Sequence, residues 1–250
     1  MATRIAALYD IHGNLPALEA VLEELRAIGV DLIVIGGDVV AGPMPRETLD
    51  CLAAIDVPVR YIRGNADREL VACRRGGNMD AVPERFRMGL RWVARELTDD
   101  DERMLDAWPL TLRLPATEGD VLFCHATPRN DTDVFFRGTP EDRLRPIFDP
   151  VRAALVVCGH THMQFDRSVG ATRVMNAGSV GMPYGGGREA CWLLLGATPE
   201  LKRTPYDLER AAARIRATAY PLAQEFADRH ILQPFTEAEV LALFAKLEVA

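Results

Sequence analysis

The sequence predicts an α/β fold in which two sheets pack on each other and a helical tail closes over them. Three observations carry that expectation. In the first two-thirds of the 250 residues, short apolar runs alternate with amphipathic stretches. From residue 110 onward, strand-like runs follow one another in quicker succession. From about residue 205 the spacing turns helical.

The elements follow in order. RIAALY (4–9) reads as a strand, and Leu15, Leu18, Val21, Leu22, Leu25 and Ile28 then recur at helical spacing before Gly29 supplies a stop. DLIVIG (31–36) is a second strand, ETLDCLAAI (47–55) a helix and VPVRYI (57–62) a third strand. Near-continuous apolar strands alternating with helices imply a largely parallel sheet covered on both faces. Residues 66–107 are helical and charged, with Arg85, Arg87, Arg91 and Arg95 read first as a solvated helix face and second as a phosphate-binding one. LTLRL (110–114), GDVLFCH (119–125), ALVVCGH (154–160), TRVMNAG (172–178) and ACWLLLG (190–196) suggest a second sheet. The division expected is residues 1–204 as the main domain and 205–250 as a helical extension packed on it.

Composition narrows the partners. At 48% apolar and 26% charged the chain can bury a sizeable core. A net charge of −7 weighs against nucleic acid or an anionic membrane, although two bound divalent cations would reduce it to −3. The five cysteines show no CxxC pairing, which suggests reduced thiols and a cytoplasmic protein. No signal peptide is evident at the start, and no apolar run is long enough to span a bilayer.

The chemistry gathers where apolar runs end. One run ends in Asp10 and His12, one in Asp38, one in Asn65, one in His125 and one in His160 with His162. In open α/β sheets, ligand sites lie outside the carboxyl ends of the strands. Taken singly, each residue has a plainer role as helix cap, turn former or hydrogen-bonded core histidine. Taken together, five such endings point to a metal centre. Asp10 and His12 are two apart, so in extended chain they point the same way. Imidazole plus carboxylate suits Mn, Fe, Zn, Co or Ni, and no cysteine stands at ligand spacing for a structural zinc. Seven ligands exceed the need of one tetrahedral ion and suit two ions about 3.5–4 Å apart.

In order, DxH (Asp10, His12), GD (Gly37, Asp38), GN (Gly64, Asn65), a lone His125 and GHxH (Gly159, His160, His162) resemble the calcineurin-like metallophosphoesterase superfamily. DIHGNLPALEAVL and NAGSVGMP look like its small bacterial, phosphodiesterase-like branch. The resemblance spans residues 10 to about 183 and leaves the tail outside it. It implies a four-layer α/β/β/α sandwich of two mixed sheets flanked by helices. It also implies two divalent transition-metal ions, with manganese favoured for activity. Asp10, His12 and His162 would hold the first ion, Asn65, His125 and His160 the second, with Asp38 bridging. Asp38, Asn65 and His125 would be the catalytic group, and the expected reaction is in-line attack of hydroxide on a small phosphate ester. Phosphate loops of the GxGxxG and Walker types are absent, which argues against kinases and dehydrogenases.

One position departs from the pattern. Many members carry a histidine directly after the asparagine, usually assigned to the leaving group or the phosphate, whereas this chain reads GNAD with Ala66. General acid catalysis contributes about 10²–10⁴-fold, so its loss favours diesters or nucleotide-like esters with a good leaving group. Two alternatives stay open. One is a metal-binding scaffold without catalysis, as in a retromer subunit of this fold. The other is a phosphomonoester or nucleotide-polyphosphate hydrolase. Asn14, Arg68 and Arg129 are candidate substrate contacts, with Asn130 and Tyr184 also near motifs, and PYGGGRE (183–189) reads as a loop beside the site.

Overall fold

The computed structural model describes residues 3–80, 82–115 and 119–249. The first sheet contains β1 (Ile5–Leu8), β2 (Leu32–Ile35), β3 (Val59–Tyr61), β9 (Ala190–Leu195) and β10 (Glu200–Thr204) in the order β10-β9-β1-β2-β3. The second contains β4 (Thr111–Leu114), β5 (Val121–Cys124), β6 (Leu155–Cys158), β7 (Phe165–Val169) and β8 (Thr172–Asn176) in the order β4-β5-β6-β8-β7. β1, β2 and β3 run parallel, as do β5, β6 and β8, and antiparallel strands complete each sheet. The chain is thus the four-layer α/β/β/α sandwich of two mixed sheets.

Strand periodicity builds the layers. On β1, Ile5 and Ala7 face the core between the sheets while Ala6 and Leu8 face the helices. The inter-sheet core is completed by Phe123, Val157, Met175 and Leu193, and Tyr9 crosses it to donate its hydroxyl to the Val157 carbonyl at 3.0 Å. The outer face of the first sheet carries α1 (Leu15–Ile28), α2 (Pro45–Ala53), α3 (Asn65–Arg74), α4 (Glu84–Glu96) and α5 (Asp99–Asp106). Gly29, left-handed at φ 71°, ends α1 as its position predicts. The second sheet is covered by α6 (Glu141–Phe148), which buries Leu144, Ile147 and Phe148.

Four elements depart from the expectation. ACWLLLG does not extend the second sheet; as β9 it returns to the first, antiparallel to β1. All six of its residues are buried, so no alternation marks which sheet receives it. β7 and β10 were not expected, being short edge strands rich in polar residues. α6 was also missed, because Pro146 lies inside it and charges dominate its first half. The stretch 66–107 is helical as expected, in three helices, and the Thr98 hydroxyl accepts from Asp101 N to start the third. Arg91 and Arg95 are exposed on α4 and, with Arg74 and Arg87, line a surface cavity of about 670 Å³.

The tail forms α7 (Leu208–Arg216), α8 (Ala223–Phe226), a π-helical turn (Ala227–Leu232) and α9 (Glu237–Phe244). Ala211, Ala212, Ile215, Phe226 and Ile231 join the same core as α1, while Val240 of α9 packs with Val134, Phe136 and Met163. No described helix is long and apolar enough to cross a membrane. Because Ile215 is fully buried in that shared core, Ile215→Ala is expected to cost about 2–4 kcal/mol in urea unfolding followed by circular dichroism. A loss below about 1 kcal/mol would show that the tail is only loosely attached.

Candidate metal centre

All seven candidate ligands follow strands of the two sheets, and the backbone there is unusual. Six described non-glycine residues have positive φ, and five of them are Asp10, His12, Asp38, His160 and His162; the sixth is Arg152. Such a conformation costs of order 1 kcal/mol or more per residue and persists where surrounding structure enforces it. The glycines of the motifs explain part of the enforcement. A Cβ on Gly37 would lie 2.3 Å from the Gly64 nitrogen, and one on Gly64 would lie 2.1 Å from Asp38 Oδ1. The loops after β2 and β3 therefore touch backbone to backbone. At Gly159 a Cβ would meet Asp10 Oδ2 at 2.5 Å, so the loop after β6 also needs glycine to receive that carboxylate.

Each carboxylate is anchored by one oxygen and bare at the other. Asp10 Oδ2 accepts from His160 N at 2.9 Å, while Asp10 Oδ1 has no partner and faces the Nε2 atoms of His162, His125 and His12 at 3.4, 3.8 and 3.9 Å. Asp38 Oδ1 accepts from Ala66 N at 2.8 Å, while Oδ2 faces Nε2 of His125 at 3.5 Å and of His12 at 3.7 Å. Asp10 and Asp38 are 0% and 3% exposed.

Three imidazoles are held by their far nitrogens. Nδ1 of His125 lies 2.9 Å from the Gly36 carbonyl, Nδ1 of His162 is 2.8 Å from that of Met182, and Nδ1 of His12 is 3.3 Å from that of Ala41. A carbonyl only accepts, so Nδ1 carries the proton and a neutral ring turns its Nε2 lone pair inward. The Nε2 atoms of His12 and His162 then face each other at 3.3 Å, which is repulsive unless a cation or a proton lies between them. His125 and His160 meet edge to face at 5.2 Å. Asn65 opens α3, and its Oδ1 is enclosed without a partner.

These atoms fit divalent cations. Asp10 Oδ1, Asn65 Oδ1 and His125 Nε2 are buried lone pairs with no hydrogen-bond partner among the described residues, where such an atom ordinarily costs about 1–3 kcal/mol. Asp10, His12 and His162 bring ligand atoms within 4.8 Å of one another, and so do Asp10, Asp38 and His125. Asp10 thus belongs to both sets, while Asp38, to which the family resemblance gives the bridge, faces His12 and His125. His160 and Asn65 are half-buried and form the open side.

Charge is finely balanced here. Burial opposes ionisation of Asp10 and Asp38, but His162 and His125 around the first, and His125 and His12 around the second, hold both carboxyls below their usual range. Burial pushes His160 down to about 4, with His125 adding to it. His125 goes the other way: burial opposes its charge, yet Asp38 and Asp10 push it up to about 10.

Other predicted residues are engaged elsewhere. Asn14 is fully buried; its Oδ1 accepts from Ala17 N to cap α1, and its Nδ2 donates to the Gly181 carbonyl at 2.8 Å. Arg68 forms a two-pronged pair with Asp131, at 2.8 and 3.1 Å, and Arg129 pairs with Asp133. Asp67, the acidic residue of GNAD, is turned into the backbone. Its two oxygens accept from the backbone nitrogens of Asp38, Val39 and Gly64 at 2.8–3.0 Å. Burial and the Asp38 carboxylate push it up to about 7, against the pull of those amides. Sequence reasoning did not see this brace, because two of its three donors come from the distant loop after β2.

The tail brings in a residue that the motifs omit. His230 is buried in the π-helical turn between Phe226 and Phe235, and burial, with His162 and His12 next, pushes it down to about 3. Tyr184 lies between it and the centre, stacked on His162 at 4.7 Å and 25°.

Fold and centre together define a metal-dependent phosphoesterase architecture, and the comparisons with known proteins agree. Residues 3–197 match the model of the calcineurin-like phosphoesterase superfamily domain, and the chain belongs to that superfamily. An uncharacterized protein of Methanocaldococcus jannaschii is 25% identical over 236 residues, covering 87% of this chain and 93% of its own. A hypothetical protein of Pyrococcus horikoshii superposes with a TM-score of 0.79 at 22% identity, over 94% of this chain and all of its own. A metallophosphoesterase from Sphaerobacter thermophilus gives 0.72 at 24% identity, over 92% and 98% of the two chains.

Metal and proton compete at His125. A histidine raised from 6.5 to about 10 stabilises the metal-free fold fully below pH 6.5 and loses that contribution as pH climbs through 10. The same proton must leave Nε2 before an ion binds there. Apparent Mn²⁺ affinity is therefore expected to rise by up to about tenfold per pH unit through neutrality, with proton release visible by calorimetry in buffers of different ionisation enthalpy. A pH-independent affinity would show that His125 is already neutral in the metal-free protein.

Proposed function

We propose that this protein is a two-metal phosphoesterase acting on small phosphodiesters or nucleotide-like esters with good leaving groups. The observation that carries this reading is the convergence of three enclosed, unpartnered lone pairs, on Asp10, Asn65 and His125, inside one set of strand-end loops. Asp10, His12 and His162 would hold one ion and Asn65, His125 and His160 the other, with Asp38 contacting both. Two divalent cations so held supply hydroxide near neutral pH and neutralise phosphoryl oxygens. Manganese suits the mixed imidazole, carboxylate and amide set, which also accommodates Fe, Zn, Co or Ni.

The chain's own residues do the rest. Gly36, Met182 and Ala41 carbonyls orient three imidazoles, and Ala66 N together with the Asp67 brace orients Asp38. Position 66 offers only a methyl group, itself 7% exposed at the first turn of α3, so no imidazole reaches the leaving oxygen from there. That absence is the feature a non-catalytic scaffold would share. Against the scaffold stands the complete set of candidate ligands, with three imidazoles and both carboxylates oriented by backbone groups. Unpaired cysteines, three of them buried, accord with a reducing, cytoplasmic setting.

Purified protein is expected to hydrolyse an aryl phosphodiester with added Mn²⁺ and to lose at least about 10²-fold in kcat/KM on His125→Ala. Full activity in that variant would sink the two-metal reading, and an inactive wild type with bound metal would favour the scaffold. Across a series of esters the rate is expected to fall steeply with leaving-group pKa, and Ala66→His is expected to flatten that dependence. An unchanged slope would mean that another group already serves the leaving oxygen.

A further inference from the structure

Among the side chains around the centre, the ordinary donors are already committed. Asp67 is turned into the backbone, Arg68 and Arg129 hold carboxylates, and Asn14 holds a helix start and a loop. His230 is 7% exposed, with Nδ1 shut in and unpartnered on the far side of Tyr184. Tyr184 is the donor left over.

Its ring is fixed on every side. It stacks on His162, meets Phe235 edge to face at 5.6 Å and is backed by His230 at 6.2 Å. Its backbone nitrogen donates to the His162 carbonyl at 3.2 Å, and the next nitrogen, of Gly185, donates to Phe235 at 3.0 Å. The hydroxyl nevertheless has no hydrogen-bond partner among the described residues. An unpartnered phenol held by its stacking on His162 is a fixed donor beside the candidate ligands, and a fixed donor there is the kind of preorganisation that stabilises a transferring phosphoryl group.

We propose that Tyr184 is a substrate-contacting residue whose hydroxyl donates a hydrogen bond to a non-bridging phosphoryl oxygen of the bound ester. This rests on the phosphoesterase reading. It gives the centre a protein donor from the loop after β8, where Ala66 on α3 provides none. Phe235 and His230 of the tail pack against its ring where it stacks on His162. The contact takes no proton from the phenol and forms no bond to it.

The test is Tyr184→Phe, which keeps the stacked ring and removes one oxygen. In Mn²⁺-loaded protein, binding of inorganic phosphate by calorimetry and inhibition by orthovanadate are both expected to weaken by about tenfold. Metal content by mass spectrometry and the thermal midpoint are expected to stay at wild-type values. Unchanged phosphate and vanadate affinity would overturn the proposal. So would loss of bound metal in step with affinity, since the hydroxyl would then serve His162 rather than substrate. The two readings separate cleanly: a wild type that binds phosphate through Tyr184 but hydrolyses no ester defeats only the enzymatic one. A wild type that hydrolyses esters and is indifferent to Tyr184→Phe defeats only this one.

Discussion

Asp10 and Asp38 must each keep one carboxylate oxygen bare inside a dry interior, and the loops around them are shaped by that demand. An unpaired buried carboxylate costs several kcal/mol, so neither could persist without positive charge nearby. The protein supplies two kinds. Imidazole nitrogens crowd Asp10 Oδ1 and Asp38 Oδ2 within 3.4–3.9 Å, and divalent cations complete the balance when bound. Backbone amides of His160 and Ala66 hold the other oxygen of each pair. Left-handed turns at five of the seven ligands are what bring these amides round to the strand ends.

The four-layer architecture serves the same end. Parallel β1, β2 and β3 in one sheet and β5 and β6 in the other deliver their carboxyl ends to a common edge, and the inter-sheet core keeps those ends in register. Tyr9, between Leu8 and Asp10, ties the sheets together through Val157, two residues before Gly159. A shift of one sheet over the other would therefore move Asp10 against the GHxH loop. Rigidity at the centre is a property of the sandwich and not of any single loop.

Much of this was legible in the sequence, for a physical reason. Ligands at strand ends follow apolar runs, and the first sheet's central strands are apolar enough to be unmistakable. β9 was not assignable to its sheet because a strand buried on both faces has no alternation to betray its neighbour. β7 and β10 look like loops because edge strands carry charge. At the centre, residue identities were readable but supporting contacts were not. Asp67 braces the loop after β2 at residues 28 and 29 positions away, and Tyr184 meets His162 across a loop from 22 residues downstream. Such contacts leave no spacing signal.

The two sides of the centre are unequally covered, and this bears on what enters it. His12 and His162 are 8% and 6% exposed beneath Tyr184 and the tail, whereas Asn65 and His160 are half-open. On the function proposed, an ester would approach over Asn65 and His160, with its leaving group outward and its phosphoryl oxygens inward. Ala66 stands at that open side and leaves room there, while Tyr184 stands toward the covered one. A site widened at the leaving group and furnished with a donor deeper in suits esters whose leaving group needs space more than it needs a proton. In that arrangement the tail is part of the centre's wall, because Phe235 and His230 back the phenol where it stacks on His162.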